Sequence, residues 1–89
     1  MKPMPAKIPY PLIRVEWIDA EADPAWVEES QIDPHTEKME LVKSVGYQIR
    51  NNKKWVVIAG TICWCSTGWL FTNIMRIPRG MVAKPIEKL

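Results

Sequence analysis

The chain has 89 residues, 47% of them hydrophobic, with five Trp, eight Pro and a formal net charge of +2. That length makes one small domain, which buries about 60–65% of its unfolded surface and is marginal unless well packed or oligomeric. A charge so near zero counts against a nucleic-acid-binding barrel, because a phosphate backbone demands a broad basic face.

The charge is unevenly spread. Residues 19–40 hold eight acids against Lys38, a balance of −7, and residues 41–89 hold eight bases against Glu87, a balance of +7. Either an acidic loop lies over a basic barrel and neutralises it, or two surfaces of opposite sign steer ligands and partners.

Residues 1–11 carry Pro3, Pro5, Pro9 and Pro11 among small and basic residues. Prolines at that density exclude helix and give a sheet few donors, so this is an extended arm, and residues 12–89 form the domain. No charged-then-apolar leader opens the chain, so no signal peptide is expected. Leu12 to Ala20 alternates Ile13, Val15 and Trp17 with Arg14 and Glu16, the pattern of a half-buried first strand. A long acidic loop follows. In it Asp23-Pro24 signals a helix start, Ala25 to Ser30 has room for one or two turns, and Trp26 or Val27 is expected to fold back on the core.

The second strand is read at Met39 to Arg50, with Leu41, Val45, Tyr47 and Ile49 on the core face and a bulge or bend at Gly46. Asn51-Asn52 closes a tight hairpin, since Asn tolerates left-handed backbone. Trp55 to Met75 holds no charged side chain and is long enough to cross a bilayer as a helix. Ser66, Thr67, Gly68 and Asn73 interrupt it, however, and the reading adopted is two strands, Trp55 to Ile62 and Leu70 to Ile77, joined by a turn. Pro78-Arg79-Gly80 turns the chain into a short fifth strand, Met81 to Leu89.

Signals for enzyme chemistry are poor. The one histidine, His35, sits in the turn Asp33-Pro34-His35-Thr36 with no nucleophile in its pattern. No phosphate-cradling glycine motif and no zinc spacing occur, so no cofactor and no metal is expected. Cys63 and Cys65 stand two apart in one strand, poor geometry for a mutual bridge. They read as reduced thiols at the barrel lining and edge, in a cytoplasmic setting.

Five strands, a long loop after the first and a Pro-Gly turn before the last resemble a small Src-homology-3-like barrel. The aromatic motif that builds the proline-peptide groove of true Src-homology-3 domains is absent. Val15-Glu16-Trp17-Ile18-Asp19-Ala20, Ser44-Val45-Gly46-Tyr47-Gln48-Ile49 and Ile77-Pro78-Arg79-Gly80-Met81-Val82 resemble, in order and spacing, motifs of a set of short proteins of tailed bacteriophages and prophages. The resemblance implies phage origin and a barrel, and carries no activity.

Aromatics stack rings while Arg and Lys hold phosphates, and the basic half of the chain has both. The candidate binding residues are Trp64, Trp69, Tyr47, Arg50, Lys53, Arg76 and Arg79. Trp17 and Trp55 read as core; Trp64 and Trp69, flanking a loop, read as interface. Three functions fit. The first is a small adaptor or host-defence inhibitor that binds a host or virion protein. The second is an oligomeric sponge for a small anionic, nucleotide-type immune signal. The third is a nucleic-acid-binding barrel. A homo-oligomer is expected, and no membrane partner.

Overall fold

The computed structural model describes residues 3–18, 26, 28–31 and 41–89. Its strands are β1 (Leu12–Ile18), β2 (Leu41–Asn51), β3 (Trp55–Cys65), β4 (Gly68–Pro78) and β5 (Glu87–Lys88), with short 3-10 turns at Glu29–Gln31 and Arg79–Met81. All pairings are antiparallel in the order β4-β3-β2-β1-β5. The expected mainly β architecture is present as one five-stranded sheet. The sheet stays open: among the described residues no pairing joins β4 to β5.

Local chemistry sets the turns. The Asn52 side-chain oxygen accepts from the backbone N–H groups of Lys54 and Trp55 at 2.9 and 2.8 Å, closing β2 onto β3 as an Asx turn. Left-handed backbone, expected at Asn51-Asn52, falls elsewhere: the described non-glycine residue with positive φ is Asn73, at 54°. Ser66-Thr67 joins β3 to β4, and Gly68 follows at φ 110°, which glycine adopts without strain. Both strands therefore run further toward this turn than the sequence suggested. The fifth strand is shorter than expected. Pro85 offers no N–H, and the segment is tied to β1 instead by an Ala83 N–H donating to the Glu16 carbonyl at 2.8 Å and a bridge from Val82 to Trp17.

The core lies between β1 and the β3–β4 pair. Ile13, Val15, Val56, Ile58 and Ile77 are buried, and Trp17, Met81, Val82 and Ile86 pack against them. Trp17 fulfils its core assignment, and its indole N–H donates to the Ser44 hydroxyl at 3.0 Å. The face assigned to β2 is reversed. Gly46, paired with Ile13, and Ser44, paired with Val15, face the core, while Leu41 and Val45 are exposed on the outer side. The inner side of β2 takes small residues because its neighbours crowd it. A Cβ at Gly46 would lie 2.9 Å from the Ala59 carbonyl oxygen and 3.0 Å from Ile58 Cβ. Gly46 thus marks a close approach, and the bulge expected there falls at Ile49, between Gln48 and Arg50.

Beyond Ala59, β3 leaves β2: Tyr47↔Ala59 is the last pair between them in that direction. Among the described residues, its stretch from Gly60 to Cys65 pairs with β4 alone, so residues 60–73 form a two-stranded ribbon beyond the β2 pairing. Its root is Gly60 facing Asn73, where a Cβ on the glycine would be 3.2 Å from that of Asn73. Trp55 to Met75 is thus a strand pair, and no helix among the described residues is long and apolar enough to cross a membrane. The Asp23-Pro24 helix start, Val27 and the turn holding His35 lie outside the described residues. Trp26 does not fold back on the core; it is fully exposed.

Candidate functional site

Six of the seven candidate residues divide between two ends of β3. Trp64 and Trp69 form a cross-strand pair next to the Ser66-Thr67 turn. Their ring centroids are 5.2 Å apart at 62°, and both are half-buried. They belong to strands rather than to a loop; the two rings pack on each other, and Trp69 packs also on the arm. Tyr10 sets its ring edge-on to Trp69 at 6.0 Å and to Phe71 at 5.0 Å. The arm is held there because the Pro11 carbonyl accepts from the Gln48 N–H at 2.8 Å, continuing the β1–β2 ladder by one bond. Residues 3–9 of the arm are exposed.

Alternation along the paired strands puts Ile62, Trp64, Trp69 and Phe71 on one side of the ribbon. Thr61, Cys63, Leu70 and Thr72 take the other side, where Ile62 and Phe71 help to line an open groove of about 240 Å³. Leu70 is 54% exposed. The cysteines are free. Cys63 is exposed instead of lining a barrel, and Cys65 is half-buried with its sulfur 3.0 Å from the Thr67 hydroxyl. That hydroxyl bond, with the backbone of Thr67 and Gly68, holds the Cys65 thiol below its ordinary pKa.

The second grouping centres on Val57, seven residues back along β3 and so about 23 Å away at the usual strand rise. Arg50 is in register with Val57, and Val57 with Arg76, so three adjacent strands present Arg-Val-Arg in one row on the outer face. Trp55, Ile49 and Ile74 complete an open groove of about 430 Å³ around that row. Trp55 was assigned to the core; it is 42% exposed. Its in-period neighbours on β3 are Val57 and Ala59, on the outer face, whereas Val56 and Ile58 point inward.

The remaining candidates flank this groove. Arg79 donates to the Asn51 side-chain oxygen at 2.6 Å and Lys53 is exposed in the β2–β3 turn. Tyr47 is half-buried on the outer face between Leu12 and Ala59, apart from both groupings. Sequence reasoning missed Tyr10 and Phe71. The available signal was Tyr10, the one aromatic of the arm, set between Pro9 and Pro11. Among the described residues no group of three or more His, Cys, Asp or Glu comes together to hold a metal.

Compared with protein-family models, curated proteins and solved structures, the chain matches none. Its class is that of a small antiparallel β protein with a projecting ribbon, and any function has to be argued from its surfaces.

Proposed function

We propose that this chain is a non-enzymatic binding protein that grips a protein partner with its β3–β4 ribbon. One observation carries the reading. Past Gly60 and Asn73 the ribbon runs beyond the β2 pairing, yet it presents Ile62, Trp64, Trp69 and Phe71 on one side and Leu70 on the other. A two-stranded hairpin is marginal in water by itself, and aromatic side chains of this kind are the usual anchors of protein interfaces. Tyr10 packs on Trp69 and Phe71 on one side, Leu70 is 54% exposed on the other, and a partner's contact is the simplest reason for so apolar a ribbon. Five Trp in a chain whose buried core cluster has five aliphatic members argue the same way.

The sheet is read as an open form of a small Src-homology-3-like barrel; the strand order and the 3-10 turn ahead of β5 support that. The motifs resembling tailed-phage proteins make the partner a host or virion protein met in the host cytoplasm, with the chain as adaptor or host-defence inhibitor. Nucleic acid ranks lower, because the net charge of +2 leaves no broad basic face.

The test is partner capture by Trp64→Ala and Trp69→Ala beside wild type, with melting temperature measured on the same samples. A buried Trp anchor is worth at least about 2 kcal/mol, roughly thirtyfold in affinity. Because both rings lie beyond the root of the ribbon, the variants should stay folded and lose capture. Undiminished capture by the folded variants removes the reading.

A further inference from the structure

The Arg-Val-Arg row on the outer face is a separate site, and we infer that it binds a small anion carrying a planar aromatic ring. Four observations converge. The register Arg50↔Val57↔Arg76 sets both guanidinium groups on one side of the sheet, two strand spacings or roughly 10 Å apart at the backbone. Both side chains are long enough to close over Val57 onto one anion. Next, neither arginine has an ion pair or a side-chain hydrogen bond among the described residues. Three other cations are matched: Arg14 pairs with Glu87, and Lys43 and Lys84 both pair with Glu16.

The third observation is Trp55. It lines the same groove, 42% exposed, with Ile49, Val57 and Ile74 as an apolar floor. An indole beside two guanidinium groups offers a stacking face next to a charge-assisted anion clamp. Last, the groove is the right size. Its volume of about 430 Å³ falls within the roughly 300–1,000 Å³ of small-molecule sites. A nucleic-acid strand would instead need a basic track that continues past these two residues, and Arg79 at the adjacent turn is engaged with Asn51.

Charge alone would select any phosphate, and the ring alone any aromatic. The groove joins the two, so its ligand needs both. This site lies about 23 Å along β3 from the Trp64–Trp69 pair, so it stands or falls independently of the ribbon.

The experiment is titration of the full chain with adenosine 5′-monophosphate, with adenosine and inorganic phosphate in parallel, followed by calorimetry and by the indole N–H resonances. Trp55→Phe assigns its resonance. The expected result is that adenosine monophosphate binds more tightly than either fragment and moves the Trp55 indole signal. Arg50→Ala and Arg76→Ala should each weaken binding roughly ten- to a hundredfold, the magnitude of one charge-assisted hydrogen bond. Lys88→Ala, on β5 and outside the groove, should leave it unchanged. Because the indole shift is read on wild-type protein, it decides the matter even where an arginine variant is poorly folded. The inference is overturned by absence of binding at millimolar ligand or by phosphate binding as tightly as the nucleotide. Shifts confined to Trp64 and Trp69 would overturn it equally.

Discussion

Gly46→Ala is the sharpest test of how this sheet is assembled. The added methyl would meet the Ala59 carbonyl oxygen at 2.9 Å and Ile58 Cβ at 3.0 Å. Neither is the loose end of a side chain. Relief requires β2 to move away from β3, or Ile58 to shift against its buried neighbours Ile13, Val15, Val56 and Ile77. Overpacking of this kind costs about 1–3 kcal/mol. For a domain of this size each kcal/mol lowers the melting temperature by about 4–8 °C, so a loss of about 4–24 °C is expected. Gly80→Ala is the matched control. Nothing lies within 4 Å of its Cβ and its φ is not positive, so the change should be neutral or add up to about 1 kcal/mol by restricting the unfolded chain. Thermal melts followed by circular dichroism, with urea titrations beside them, give both numbers. A Gly46→Ala variant as stable as wild type would falsify the placement of Gly46 against Ile58 and Ala59, and with it the register of three strands.

Two further outcomes are expected. The Glu16 carboxylate, hydrogen-bonded by Lys84 and near Lys43, is held below the usual carboxylate range. A depressed pKa stabilises the folded state above the unfolded-state value and loses that contribution as pH falls through the folded-state value. Glu16→Gln should therefore melt below wild type at pH 7, with the gap narrowing below about pH 4.3; a gap independent of pH would exclude this role. A homo-oligomer is expected from the Trp count and the Pro-rich arm, so deleting residues 1–9 should lower the apparent mass in native mass spectrometry or the melting temperature. A monomer at high micromolar concentration, unaltered by the deletion, would rule that out.

The strands were legible because their periodicity is strong: Ile13, Val15 and Trp17 alternate cleanly, and all three face inward. The face of β2 was not legible. Its apolar residues Leu41, Val45 and Tyr47 obey the same period-two rule, yet the core side holds Val42, Ser44 and Gly46. Tight approach by Ile58, and an indole seeking an oxygen at Ser44, made small or polar residues the inward ones. Periodicity reports that two faces differ; it does not say which one a neighbour will crowd. The same limit misplaced Trp55. A tryptophan in a charge-free stretch reads as core, but on β3 it is one residue out of phase with Val56 and Ile58.

The division of the candidate residues follows from how β3 is used. Its first half is sandwiched between β2 and β4, and there an outward row can span three strands, which is what brings Arg50 and Arg76 to either side of Val57. Among the described residues its second half has β4 as its one strand neighbour, so no comparable row forms, and there the rings of Trp64, Trp69 and Phe71 meet each other or Tyr10. Gly60 and Asn73 mark the change. The glycine allows close approach across the pair, and Asn73, at φ 54°, breaks the extended run. One strand thereby supplies two surfaces with different chemistry, a charged groove on a rigid sheet and an aromatic face on a ribbon. A substitution at the root, such as Gly60, acts on the ribbon and leaves the arginine row in register. The two sites can therefore be disabled one at a time.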